Sequence, residues 1–324
     1  MSHDTAGPEP TTLSGTLADH GEFAVIEAVV ARFAQGEGVL LGPGDDAAVV
    51  AVPDGRVVVS TDLLVEGRHF RRDWAEPDDI GHRVAAANLS DVNAMGGRAI
   101  ALTVGLAAPP DLPVSWVLGL ADGLAAEAAL VGASVVGGDL TAADQVMIAV
   151  SVLGCVDGEP VRRDGARPGD VVALAGRQGW AAGGLEVLGR GFRSPRALVD
   201  AYRRPQPPYD AGSAAAAAGA TAMIDVSDGL LADLGHLARA GQVGIDVASD
   251  SFEVPEPLQA VGAALGADPL RFILTGGDDH ALAATFPADV ALPDGWVRIG
   301  RVEEGEGVRV DGATYEGPAG HTHF

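Results

Sequence analysis

The chain has 324 residues, is 47% hydrophobic and carries a formal net charge of −24, a length that favours two domains and a composition able to fill a packed core. Such acidity excludes a nucleic-acid binder, which needs a basic face against phosphates, and no stretch of about 18 apolar residues escapes a charge or a Gly/Pro break, which excludes a membrane helix. All 21 basic residues are arginine, so there is no Walker A lysine, protein-kinase lysine or Schiff-base lysine, and any nucleotide must be held by other means.

In chain order, residues 1–18 read as a disordered leader; Asp4, Glu9, Pro8 and Pro10 stand where a signal peptide would need a basic and then an apolar run. Residues 23–33 carry apolar side chains at helical spacing and end at Gly36 and Gly38. Residues 47–52 and 56–61 are β-branched runs around Pro53-Asp54-Gly55 and predict a hairpin. Glu76-Pro77-Asp78-Asp79 starts a helix that runs to about residue 95 and stops at Gly96-Gly97. A strand follows over 99–106, a helix over 114–130, a short strand over 134–136 and a longer strand over 146–156.

The polar, turn-rich stretch 157–170 is the boundary between two halves, 19–157 and 158–324. Beyond it come a strand over 171–174, a Gly-rich loop over 176–184 and a helix from Leu185. The Ala-rich stretch 211–220 predicts a helix, 222–225 a strand, 230–240 a helix closed by Gly241, and 272–274 another strand. The fold class is therefore α/β with mixed sheets in both halves. Cys155 is the single cysteine; it lies in an apolar run, rules out an intrachain disulfide and points to a reducing, cytoplasmic setting.

Five segments lead from an apolar element into Asp beside Gly, Ser, Thr or Asn: Gly44-Asp45-Asp46, Ser60-Thr61-Asp62, Asn88-Leu89-Ser90-Asp91, Gly137-Gly138-Asp139 and Asp225-Val226-Ser227-Asp228. Hard cations such as Mg²⁺ take oxygen ligands, one or two carboxylates per ion with phosphate and water completing the shell. Carboxylates brought together also need a counter-cation. Asn88 and Asp91, three residues apart, share one side of their helix. Asp225 and Asp228 also suit helix capping, which is compatible with metal binding. These residue types and spacings point to a multi-metal, phosphate-handling site between the halves and name no substrate.

The segments GPGDDAAVV (42–50), STDLLVEGRHF (60–70), ANLSDVNAMGG (87–97), GGDL (137–140), RRDGARPGD (162–170), IDVSDGLLADLGHLA (224–238) and TGGDDHAL (275–282) together resemble the thiamine-monophosphate kinase family. That family belongs to the superfamily of aminoimidazole ribonucleotide synthetase, which uses ATP without a Walker A loop. The resemblance runs from about residue 20 to the C-terminus. It implies a two-domain fold, an N-terminal ATP- and Mg-binding domain with a mixed sheet and flanking helices, then a C-terminal α/β domain. It implies Mg²⁺ ligands at Asp46, Ser60, Thr61, Asp62, Asp91, Asp139, Asp225 and Asp228, with Asp62 and Asp228 the most critical. ATP contacts are implied at Gly138, Asp139, Arg163 and Ser227, and substrate contacts at His69, Asp278 and Pro318.

The activity so implied is direct transfer of the γ-phosphoryl group of ATP to thiamine monophosphate, with several Mg²⁺ ions and no phosphoenzyme, by a homodimer joined through the N-terminal sheet. Other superfamily enzymes, or a silent Mg–nucleotide binding protein, are the alternatives. The Cys and Lys of selenophosphate synthetase and the Cys-bearing tail of the hydrogenase-maturation relative are absent. Asp278 and His280 stand where the family often has Glu and Tyr. Pro318 stands where many members carry an aromatic residue, with Tyr315 and His321 the nearest rings that could replace it.

Overall fold

The computed structural model describes residues 13–44, 47–53 and 55–322. In the N-terminal half the described elements are α1 (Leu17–His20), α2 (Glu22–Val30), β1 (Val39–Leu41), β2 (Val49–Val50), β3 (Val58–Val65), α3 (Pro77–Ala94), β4 (Gly97–Ala108), α4 (Val114–Leu130), β5 (Ser134–Ala142) and β6 (Met147–Val156). In the C-terminal half they are β7 (Val171–Ala175), α5 (Trp180–Gly189), α6 (Arg196–Arg203), α7 (Ala211–Ala217), β8 (Ala222–Val226), α8 (Leu230–Gly241), β9 (Gly244–Val247), α9 (Glu256–Leu265), α10 (Leu270–Thr275), β10 (Ala281–Phe286), β11 (Trp296–Glu303), β12 (Gly307–Val310) and β13 (Ala313–Thr314).

Two main sheets result. The first has the order β3-β6-β4-β5, and the second the order β13-β12-β9-β11-β7-β10-β8. Both are mixed: β4 and β5 run parallel in the first, β12 and β9 in the second, among antiparallel neighbours. α3 begins where Pro77 fixes the first turn and Asp79 accepts the N–H of Glu76 at 3.1 Å. Ile80, Val84 and Leu89 of α3 and Leu120 and Leu124 of α4 are buried with Leu102, Ile148, Val150 and Val152 of the sheet. In the second half Leu230, Leu234 and Leu237 of α8 close over Ile224, Val226 and Ile245. Burial of this many branched side chains, roughly 1.5–3 kcal/mol each, is what sets the register of each sheet.

The structure departs from the sequence expectations at five places. Residues 47–52 and 56–61 form no hairpin: β2 pairs with β1, and β3 pairs over its full length with β6. An eight-residue partner ladder outcompetes a local turn that could offer only a two-residue strand. Residues 272–274 are helical in α10, because Asp268 and Pro269 supply a helix start, with Asp268 accepting the N–H of Leu270 at 3.0 Å. α5 begins at Trp180 instead of Leu185, and β5 runs on to Ala142. Within the stretch read as leader, α1 starts at Leu17, and Leu13 and Leu17 pack against the first core.

α3 also ties the halves together. Asn93 donates to the carbonyl of Pro208 at 2.9 Å and accepts the N–H of Gly212 at 3.1 Å. Arg204 pairs with both Asp78 and Asp79. Buried Glu127 on α4 accepts from Tyr209 at 2.5 Å and pairs with His82 at 2.7 Å.

Candidate functional site

Strand alternation decides what β3 offers. Ser60 and Asp62 face α3, where Asp91 accepts the Ser60 hydroxyl at 2.5 Å and the Asn88 amide oxygen accepts the backbone N–H of Asp62 at 3.3 Å. The shared helix side of Asn88 and Asp91 is thus used as its spacing implied. Thr61 points to the opposite, exposed face and exchanges a 2.8 Å hydrogen bond with Ser151 on β6, so its side chain is directed away from the acidic side.

From the second half, β8 delivers Asp225, buried beside His280 at the start of β10; the two are 3.2 Å apart. The groups act on one another across the junction. Burial, then the charge of Asp225, pushes the Asp91 carboxyl up to about 7. Asp62 is raised by burial too, with the charge of His280 opposing and that of Asp225 adding. Burial works against the charged form of His280, yet the Asp225 hydrogen bond and the charges of Asp225 and Asp278 outweigh it, and its pKa is raised. Three carboxylates therefore share one imidazole as their nearest counter-charge.

Asp228 lies one turn further on, at the loop into α8. Asp233 of α8 shapes this loop: its Oδ2 accepts the N–H groups of Ser227, Asp228 and Gly229 at 3.1, 3.1 and 3.0 Å. The TGGDDH segment and the C-terminal tail then clasp the loop. Asp278 donates its N–H to the Ser227 carbonyl at 2.9 Å, and His321 donates to the Asp228 carbonyl at 2.8 Å. A Cβ on Gly277 would fall 1.9 Å from the Ser227 carbonyl oxygen, so only glycine permits that approach.

Asp278 sits at φ 66° and forms a 2.8 Å ion pair with Arg83, a buried residue of α3 that also donates to the Tyr202 carbonyl at 2.5 Å and lies over the Tyr202 ring. Asp233 and Arg83 do not stand out in the sequence. A lone Asp in an amphipathic helix and a lone Arg in an Ala-rich one read as solvated side chains, although IDVSDGLLADLGH does contain Asp233.

The remaining expected residues that are described sit on other elements. Gly138 and Asp139 are on β5, separated from β3 by two strands, and line a cavity of about 870 Å³ together with Phe23, Pro43 and Gly44. A side chain at Gly138 would collide with the Val104 carbonyl, the Cβ falling 1.9 Å from its oxygen. Asp46 lies outside the described residues. Arg163 is exposed in the short 3₁₀ turn beside α8, near enough to His236 that its charge contributes, after burial and Arg239, to lowering that pKa. His69 is in the turn after β3, where its Nδ1 accepts the Val65 N–H at 3.0 Å. Pro318 is exposed in the tail, and Tyr315 packs against the second core.

The donors here are hard oxygens carrying uncompensated negative charge, which fits Mg²⁺. Among the described residues no three of His, Cys, Asp and Glu converge closely enough to hold one ion by themselves. An ion would then take one or two carboxylates and complete its shell from phosphate and water, the usual arrangement for Mg²⁺.

Residues 44–156 match the AIR synthase related protein N-terminal domain and residues 167–312 its C-terminal domain. The thiamine-monophosphate kinase of Mycobacterium tuberculosis is 48% identical over 316 residues, 97% of this chain and 94% of that one. The crystal structure of thiamine-monophosphate kinase from Stenotrophomonas maltophilia K279a superposes with a TM-score of 0.79 at 34% identity, covering 91% of this chain and 98% of the other. The structure of AaThiL complexed with AMPPCP and TMP does so with a TM-score of 0.79 at 35% identity, covering 86% and 91%.

Proposed function

Since the chain belongs to the thiamine-monophosphate kinase family of AIR synthase related proteins, we propose that it transfers the terminal phosphoryl group of ATP to thiamine monophosphate, giving ADP and thiamine diphosphate. The observation that carries this reading is the meeting of Ser60, Asp62 and Asp91 from one half with Asp225 and His280 from the other. Several Mg²⁺ ions would be held by Asp46, Ser60, Thr61, Asp62, Asp91, Asp139, Asp225 and Asp228, with Thr61 contributing through its backbone. When bound, they neutralise the phosphate oxygens and align the two substrates.

This chain's residues do the positioning. Gly138, Asp139, Arg163 and Ser227 would hold ATP; His69, Asp278 and the tail around Pro318 would hold thiamine monophosphate. The acceptor is a phosphate oxygen already ionised near neutral pH, so the reaction demands no strong general base. The new P–O bond forms as the bond to ADP breaks, in line, which makes orientation the main contribution of the protein. Arg83 fixes Asp278 and Asp233 fixes the 227–229 loop.

Residues 19–157 would form the ATP- and Mg-binding domain and residues 158–324 the C-terminal domain. Val57, Val59 and Leu63 expose 42%, 60% and 51% of their surfaces at and beside β3, on the edge of the first sheet, and this apolar surface supports a homodimer joined through that sheet. A buried free Cys155 suits a cytoplasmic enzyme; no helix among the described residues is long and apolar enough to cross a membrane.

The test is incubation of the protein with ATP, Mg²⁺ and thiamine monophosphate while thiamine diphosphate is followed. Product above a no-enzyme control supports the reading. ATP binding without product would make the protein a silent nucleotide binder instead.

A further inference from the structure

Away from the acidic centre, a cavity of about 480 Å³ opens between α6, the segment before α5 and the N-terminal end of α3, and four of its walls are arginines: Arg177, Arg196, Arg203 and Arg204. Two of these are neutralised. Arg204 pairs with Asp78 and Asp79, and Arg196 with Asp200 at 3.2 Å. The other two are half-buried and have no carboxylate within ion-pair distance among the described residues. Arg203 donates its Nε to the Trp74 carbonyl at 2.6 Å, and Arg177 lies against the Trp180 ring, with Asp279 in electrostatic reach but not paired.

A chain with 45 acidic against 21 basic residues has carboxylates to spare for its surface arginines. Concentrating guanidinium groups in one concavity and leaving two unpaired runs against their mutual repulsion, unless an anion fills the space. A planar guanidinium anchored at one end, by an aromatic face or through Nε, keeps its outer N–H groups for a bidentate oxyanion, and phosphate matches that fork. We propose that this cavity is a binding site for a phosphate-bearing anion, a phosphomonoester or a diphosphate, separate from the acidic centre.

The experiment is isothermal titration of the full chain, held metal-free with EDTA at constant ionic strength, with inorganic pyrophosphate and separately with glycerol 2-phosphate. Without metal the acidic centre repels anions, so binding reports the arginine cavity. Saturable one-to-one binding of either ligand is expected, and the tighter of the two shows whether the resident is a diphosphate or a monoester. In the Arg177→Gln/Arg203→Gln variant the affinity should fall by roughly tenfold or more, the effect of losing charge-assisted hydrogen bonds. If that variant fails to fold, Ala197→Glu adds a carboxylate to an exposed wall without removing a contact and should cause the same loss. No saturable binding by the parent protein, or unchanged affinity in a folded variant, overturns the proposal.

Discussion

Asp91→Asn separates what the acidic centre does for turnover from what it does to folding. Asn keeps the shape of the side chain and an oxygen that accepts from Ser60, so the 2.5 Å contact survives, while the negative charge is removed. Moving a carboxyl from 3.8 to about 7 disfavours its ionised form by about 4 kcal/mol. Solvent reaches half-buried Asp91, and screening brings the expected gain from neutralising it to about 2 kcal/mol. The sign follows from linkage: a carboxyl raised in the folded state contributes stability that is complete below its unfolded value of 3.8 and is lost as pH rises through about 7. In metal-free protein at pH 8 the variant should therefore melt higher than its parent, by about 3 °C for a chain of this size. Turnover should fall at least about a hundredfold if, as proposed, several kcal/mol of metal-assisted charge stabilisation depends on this carboxylate. Calorimetry at pH 5 and pH 8 in EDTA, with the kinase assay in Mg²⁺, reads both effects. A variant that melts lower at pH 8, or keeps near-normal kcat, would show that Asp91 is a structural residue and refute the reasoning.

Asp233→Ala leaves three backbone N–H groups without their acceptor; a loss of about 3 kcal/mol is expected, partly recovered in Asp233→Asn, and equal melting of the alanine variant and the parent would deny the residue its loop-shaping role. Arg83→Met preserves volume but frees Asp278, whose side chain is 45% exposed and can turn to solvent. The expected result is a roughly tenfold higher KM for thiamine monophosphate with a smaller change in kcat, and an unchanged KM counts against Asp278 as a substrate contact. Asp279 is buried, accepts one N–H from Ala181 at 3.0 Å, and is raised by that burial to about 7. Its stabilising contribution is thus present below 3.8 and lost through about 7, so metal-free Asp279→Asn should melt with a flatter pH dependence between those limits than the parent. Parallel melting curves would place the titration elsewhere.

What the sequence revealed was whatever local periodicity encodes. The helix over 114–130 has the bounds its apolar spacing implied, and Asn88 with Asp91 share a face because three residues make almost one turn. Strand alternation turns the Thr61 side chain away from Ser60 and Asp62, which divides a segment read as one acidic group. What was hidden depends on partners far along the chain. The pairing of β3 with β6 and the reach of Arg83 to Asp278 involve tertiary contacts that no window of ten residues contains, while Asp233 accepts from amides at local separations of 6, 5 and 4 residues, a role its residue type alone does not announce. The misread strand at 272–274 is the reverse case, where the local signal was present in Asp268-Pro269 and an apolar triplet outweighed it.

The same distribution of contacts explains how an acidic junction holds together. Asp62 and Asp91 belong to one half and Asp225 to the other, so their repulsion acts to part the halves. Contacts that join the halves oppose it: Asn93 to Pro208 and Gly212, Arg83 to Asp278 and Tyr202, Arg204 to Asp78 and Asp79, and Tyr209 to Glu127. Nearly all are charge-assisted or buried, the kind whose loss is most expensive. A junction clamped by such contacts and repulsive at its acidic cluster keeps the carboxylates close, with His280 as their counter-charge. On the proposed function, cations arriving with a polyphosphate would bind where that repulsion remains and relieve it.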